Sequence, residues 1–528
     1  MKKVVIITLA LFIGIIVALP HIYGLTFFKN NYSPFKLTSE FQFMQDESYA
    51  YAAQVQQYLN MNIFGDQFTW EYRNGPSLFM FEAGSILSLT IISILSQSVE
   101  MGFILADIIF SAILFLVIFY LLQSYYSKNT LTLAVPAFVI MLPFFSSLIP
   151  FVSKEGSTLT GYILDPLFIS RTPHPQISLI FLCLSIIATI LVLKDPERKY
   201  LRIWSLVIGI SLYSSFFVSS TIVISQLIVM YILLKKIGLR KLLGYGLIIF
   251  LIAVPLITNL IYLQLSVSNT ELFIRTTYPQ NFLFPLQLRY ILFGLIFFLI
   301  KRNNLSKILF IYIASASFIA DFHQLLIGRS IDADHWLSRV ITPISTLVVL
   351  LIINEILRLK LNIKNIFWLV VFLAVLLIGT IKQVSWIELN KKNLKADPNY
   401  SELIRKIKKD TDKDAVIASI NPNVMQNITG QTGRWVYLGS ADRTIIPQAE
   451  RIQRVCSLLK YYSDKEIKKN IVDLSRYTVG NIVWKEIDKT IIVGEINRCS
   501  KDSISSNFKL DYFVHEKEDD SLELFKVN

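Results

Sequence analysis

The chain has 528 residues, of which 53% are hydrophobic and 17% charged. Soluble domains carry about 25% charged residues, so this composition excludes an ordinary soluble protein and points to a polytopic membrane protein. The net charge of +13 would suit a nucleic-acid partner, but its distribution excludes that reading. Much of the excess sits in short clusters between apolar runs: Lys194/Arg198/Lys199/Arg202, Lys235/Lys236/Arg240/Lys241, Lys301/Arg302/Lys307 and Arg358/Lys360/Lys364. That is the signature of positively charged cytoplasmic loops.

A membrane-crossing helix needs about 20 mostly apolar residues. Eleven spans are predicted, near 4–20, 101–122, 131–150, 176–193, 203–219, 220–234, 243–263, 286–300, 308–327, 338–357 and 366–383. The stretch 203–234 is barely long enough for two of them. Lys2 and Lys3 place the N-terminus in the cytoplasm, and eleven spans then keep every basic cluster there. Loops 21–100, 151–175, 264–285 and 328–337, and the chain beyond 384, fall outside. The run Pro76 to Ser96 is apolar enough to span but carries Glu82. A carboxylate at mid-bilayer costs about 2.5–3.5 kcal/mol, so the run is read as an interfacial helix lying against the membrane. Pro20-His21-Ile22-Tyr23 offers no small-residue cleavage site, so the first apolar segment is read as a span and not as a signal peptide.

After Lys382 the composition changes. Residues 395–528 are mixed polar and nearly balanced in charge, which again disfavours nucleic acid. Strands are predicted at 415–420, 434–438 and 481–484, helices at 447–462 and 464–477, and a hairpin from 508–515 and 522–527. This alternation predicts a small α/β domain. The expected fold class is therefore mainly α. A polytopic helical membrane domain, 1–394, would carry an outer catalytic loop, 21–100, and be followed by an extracytoplasmic α/β domain, 395–528. Three cysteines do not make a disulfide scaffold. Cys183 lies in an apolar run, whereas Cys456 and Cys499 share the C-terminal domain and could pair.

Chemistry is expected in the outer loops. Asp46-Glu47 opens an amphipathic run that continues to Leu59. Acidic residues are favoured in a first helical turn on structural grounds alone. Their position beside the membrane, on the longest outer loop, also suits a catalytic base. Sugar transfer needs a carboxylate to deprotonate the attacking hydroxyl, as inverting glycosidases activate water. Adjacent side chains on a helix point about 100° apart, so Asp46 is assigned as base and Glu47 as its orienting partner. Arg171 and His174 lie in a proline-containing segment before a span, and Arg329, His335 and Arg339 lie in and after loop 328–337. Outer cations break the charge trend and fit a phosphate leaving group, which gains from charge-assisted hydrogen bonds. The alternative is that they anchor span ends at the headgroups. Asp332, Asp334 and His335 are a weak candidate set for a divalent metal, and the sequence requires no cofactor. Asp107 and the Asp321/His323 pair could line a cavity or be satisfied by neighbouring helices. No nucleotide-binding loop is present, which disfavours a sugar nucleotide as direct donor.

Several motifs occur in a telling order. A first span precedes Asp46-Glu47 and an aromatic helix. Tyr72-Arg73-Asn74-Gly75-Pro76 then leads into the interfacial run. Ser338-Arg339-Val340-Ile341-Thr342-Pro343 opens a late span, and Gly430-Gln431-Thr432-Gly433-Arg434-Trp435-Val436-Tyr437-Leu438-Gly439 lies in the C-terminal part. This order resembles the GT-C superfamily of membrane glycosyltransferases, which includes protein O-mannosyltransferases and the aminoarabinose transferase of lipid A. The resemblance implies a multi-pass protein of the cell membrane, a polyprenyl-phosphate sugar donor and an outward-facing active site. It also implies an inverting transfer to an extracytoplasmic glycan, lipid or protein acceptor, with Asp46 as base. Arg73 departs from the pattern, being offset from the usual lysine before the proline. A transporter or flippase for lipid-linked sugars is the alternative of a different class, and an inactive scaffold of the same architecture is a third.

Overall fold

The computed structural model describes residues 3–29, 32–35, 50–126, 130–143, 145, 172–266, 287–331, 333–357, 361–440, 443–479, 499, 508–517 and 521–527. The chain is mainly helical with one small sheet. The membrane part runs through α1 (Lys3–Val17), α2 (Leu19–Phe28), α3 (Ala52–Leu59), α4 (Ala83–Leu95), α5 (Val99–Tyr126) and α6 (Leu131–Met141). It continues through α7 (Gln176–Lys194), α8 (Arg198–Ser211), α9 (Phe216–Ile237), α10 (Leu239–Ser266), α11 (Leu288–Lys301) and α12 (Asn304–Ile327), then α13 (Thr342–Ile356) and α14 (Leu361–Asn390).

A helix stands at each of the eleven predicted span positions, but the lengths differ. Seven helices among the described residues are long and apolar enough to cross a membrane, or up to eight if α1 and α2, bent by 62°, form one span. The chain is thus built as a multi-pass membrane protein. Helices α8 and α11, at 14 residues each, reach only about 21 Å, short of a hydrocarbon core of about 30 Å. The division of 203–234 falls earlier than predicted. The break comes at 212–215, where Ser215 caps α9 by accepting from the Val218 amide. Helix α4 has 13 residues. It buries Ile86 and Leu89 and leaves Leu87, Ile91, Ile94 and Leu95 exposed as an apolar stripe.

Close approach and buried hydrogen bonds hold the bundle. Ala10 and Gly14, one turn apart on α1, are buried against α5. A Cβ on Gly14 would lie 2.2 Å from the Ile108 carbonyl oxygen, so only glycine allows this spacing. Within the apolar core, Gln226 accepts from Trp204 Nε1 (2.8 Å) and donates to Tyr312 OH (2.7 Å) and Thr189 Oγ1 (3.0 Å). Ser185 completes the set at 3.0 Å from Tyr312. Helices α7, α8, α9 and α12 are joined by this polar cluster, whose members satisfy one another away from water.

The C-terminal part contains α15 (Pro398–Asp410), β1 (Val416–Ser419), α16 (Pro422–Thr432), β2 (Trp435–Val436), α17 (Gln448–Leu459), α18 (Asp464–Val479), β3 (Tyr512–Glu516) and β4 (Leu522–Lys526). The sheet order is β2-β1-β3-β4, with β1 parallel to both neighbours and β3–β4 an antiparallel hairpin. The predicted strand 481–484 lies outside the described residues. Cys456 and Cys499 form a disulfide. The core of this part also takes in Ala53 of α3 and Phe68 from the stretch between α3 and α4. Val436 N–H of β2 donates to the Phe68 carbonyl at 2.9 Å, which ties this stretch to the edge of the sheet.

Candidate functional site

Asp46, Glu47, Arg171 and Asp332 lie outside the described residues. The chain is described again from Ala50 and from Thr172, and these two points meet. The Tyr51 ring lies edge-on to the His174 ring at 5.3 Å. Two X–Pro peptides, Thr172-Pro173 and His174-Pro175, are cis and shape the turn that carries His174. His174 is 2% exposed, and its Nε2 is 3.5 Å from Glu82 Oε1 at the head of α4. Tyr58, two turns beyond Tyr51 on α3, faces the same carboxylate. Burial pushes its hydroxyl pKa up, and the charge of Glu82 adds to the shift. Sequence reasoning weighed Glu82 only as a cost to membrane insertion. The structure sets it beside a candidate histidine.

Asp107 takes the bland role of the two foreseen for it. Its Oδ1 accepts from Thr172 Oγ1 and from Gln176 Nε2 (3.3 Å), and its Oδ2 lies 3.1 Å from His21 Nε2. The other ring nitrogen of His21 is 2.5 Å from Tyr32 OH. This chain of contacts ties α2, α5 and the entry to α7 together. His323 is likewise satisfied: its Nδ1–H donates to the Ile319 carbonyl (2.8 Å), and its Nε2 accepts from Ile331 N–H (2.8 Å).

A second station is built around Phe217. After the four-residue helix Ala333–Trp336, a π-helical turn at Leu337–Ile341 precedes α13. Such wide turns are frequent at functional sites because they re-aim side chains. Here the turn carries Arg339 inward, to 5% exposure, with its guanidinium 5.3 Å over the Phe217 ring. His335 stacks on the same ring at 4.8 Å, and Trp336 meets it edge-on at 4.8 Å while donating to Ser220 Oγ (3.1 Å). Among the described residues, no carboxylate lies within ion-pair distance of Arg339. Arg329 is half-buried in the turn after α12, and Asp334 is exposed.

Phe216 connects the two stations. Its ring meets Phe81, the neighbour of Glu82, at 5.3 Å, and Trp336 at 5.8 Å. Nothing in the sequence singled out Phe81, Phe216 or Phe217, since aromatic residues at helix starts are common in membrane proteins. Next to the Arg339 turn, Leu114, Ile118, Leu179, Cys183, Pro343 and Leu347 line an apolar groove between α5, α7 and α13. Arg73 is not at either station. It stacks 3.6 Å over Trp70 and donates to the Trp70 carbonyl (2.7 Å), facing the C-terminal part. Among the described residues, no three His, Cys, Asp or Glu side chains come together as a metal site.

Archaeal oligosaccharyltransferase structures align with the chain. The apo enzyme of Archaeoglobus fulgidus does so with TM-score 0.38 and 12% identity, over 89% of this chain and 71% of that one. The same enzyme tethered to an acceptor peptide with the NVT sequon gives TM-score 0.40 and 11% identity, over 100% and 74%. Its complex with an inhibitory peptide and a dolichol-phosphate gives 0.39 and 12%, over 98% and 74%. No family model and no curated protein matches the sequence.

Proposed function

We propose that the chain is a membrane glycosyltransferase that moves a sugar from a polyprenyl-phosphate donor to an extracytoplasmic acceptor with inversion. The observation that carries this reading is Arg339. It is a nearly buried guanidinium over the Phe217 ring, with no carboxylate within ion-pair distance among the described residues. A buried charge requires a partner, and the phosphate of a lipid-linked sugar supplies one through charge-assisted hydrogen bonds. His335, which shares the Phe217 ring with Arg339, would extend the cationic surface, and Arg171, His174 and Arg329 are the further candidates for phosphate contact.

In this mechanism Asp46 removes the proton from the acceptor hydroxyl, with Glu47 orienting it. The oxygen attacks the anomeric carbon from the face opposite the phosphate. The bond between that carbon and the phosphate oxygen breaks, and polyprenyl phosphate leaves with its negative charge held by arginine. A transporter would instead require free charges around a midplane site. Asp107, the buried acidic residue of α5, is engaged by His21, Thr172 and Gln176.

The test uses the full chain in lipid nanodiscs. Arg339→Ala should weaken polyprenyl-phosphate binding roughly ten- to hundredfold, as expected for a lost charge-assisted contact of about 1.5–3 kcal/mol. Unchanged affinity would make Arg339 a headgroup anchor. Asp46→Asn should abolish transfer while donor affinity stays within about twofold, because a base acts in the transition state. Near-normal transfer by that variant removes Asp46 from the mechanism.

A further inference from the structure

Gln54 and Gln57 of α3 are completely buried, and neither the nitrogen nor the oxygen of either carboxamide has a hydrogen-bond partner among the described residues. Gln67, 2% exposed, donates to Ser77 Oγ (3.2 Å), while its Oε1 is likewise unpartnered. Buried polar side-chain atoms nearly always have a partner. Three glutamines that break this rule within one short stretch call for a common cause.

Their placement supplies it. Gln54 lies three residues after Tyr51 and four before Tyr58, so it shares the side of α3 that meets His174 and Glu82. Gln57 is the next residue along that strip. The chain then folds back: Asn62 N–H donates to the Gln57 carbonyl (2.8 Å), and Asn62 Nδ2 donates to the Asp66 carbonyl (3.3 Å). Gln67 follows directly on this return, with its carboxamide on Ser77. Each carboxamide offers two N–H donors and an acceptor without net charge. Phosphate recognition calls for cations, which lie at Arg339. Uncharged groups that donate and accept together match the hydroxyls of a sugar ring.

We propose that Gln54, Gln57 and Gln67 recognise the hydroxyl groups of the transferred sugar, and so determine which sugar the protein accepts. The proposal rests on the donor reading given above and names the residues that read its sugar. It also explains why three carboxamides remain inside: they are kept for the ligand at the expense of the free protein's stability.

The experiment measures equilibrium binding to the full chain in nanodiscs. The ligands are bare polyprenyl phosphate and the same lipid carrying glucose, mannose, galactose or arabinose. The wild type should bind at least one glycosylated lipid about tenfold more tightly than the bare lipid. Gln54→Leu and Gln57→Leu should each bring that ratio close to one and leave bare-lipid affinity unchanged. Both should also keep or raise Tm, because each removes an unpartnered buried amide. A structural role, or buried water held by the amides, gives the opposite pattern: the ratio persists and Tm falls. Loss of transfer with the ratio intact assigns the glutamines to the acceptor and overturns the proposal. A wild type that binds bare and glycosylated lipids equally overturns this proposal alone. One that binds none of the lipids overturns the donor reading and this proposal with it.

Discussion

Asp66 shows how much one side chain can decide. Its Oδ1 accepts from the Phe68 and Thr69 amides (both 2.8 Å), and its Oδ2 from Thr444 Oγ1 (2.7 Å) and the Ile445 amide (3.1 Å). Burial pushes its carboxyl pKa up, and the four donors pull against that shift. Asp66→Asn would turn an amide nitrogen toward one pair of donors. The expected cost is about 1–3 kcal/mol, read as a lower Tm in detergent. Arg454 does the corresponding work on the other side: fully buried, it reaches Glu450 (2.7 Å), Glu71 (3.1 Å) and the Tyr437 carbonyl (2.7 Å). Neither role is legible in the sequence, because Thr444 and Ile445 for Asp66, and Arg454 for Glu71, lie hundreds of residues along the chain. The cations of the predicted outer loops were legible, since each breaks a charge rule. That no described carboxylate pairs with Arg339 was not, as it depends on what surrounds it.

At the scale of elements, the bilayer makes helices readable. A lipid-facing backbone must satisfy itself, so each apolar run becomes a helix. Where those helices stop depends on local caps that hydropathy does not weigh. Ser215 sets the start of α9, and Asn303 with Ser306 forms a capping box for α12. Helices α15 and α16 were missed although their signals are present. Asp397-Pro398 and Asn421-Pro422 each place a capping side chain before a proline, and both side chains accept from the backbone as caps should. Packing between elements is harder to foresee, because a glycine in an apolar run has no visible partner. Gly14→Leu tests the α1–α5 contact. Its Cβ would strike the Ile108 carbonyl, so the helices must separate, and a loss of about 1–3 kcal/mol should appear as reduced thermal stability.

For the whole molecule, the decisive quantity is the side on which each end lies. The proposed mechanism needs the His174 and Arg339 stations, and everything after α14, outside the cell. A reporter fused after Lys382 should therefore read extracytoplasmic. A cytoplasmic signal would overturn the eleven-span order and the interfacial reading of α4 together. The Cys456–Cys499 disulfide agrees with an outer location, where thiols are oxidised.

The Phe68–Val436 pairing has a practical consequence. Cutting the chain at residue 395 would not release a portable module. A fragment starting there would keep the sheet but lose the Phe68 partner of Val436 and the Ala53 and Phe68 side chains from its core, and Thr444 would lose its carboxylate. Swapping this region between related proteins would mean exchanging two stretches far apart in the gene, one on each side of the membrane helices. Such a chain is best inherited whole, because residues from its first hundred complete the core of its C-terminal part.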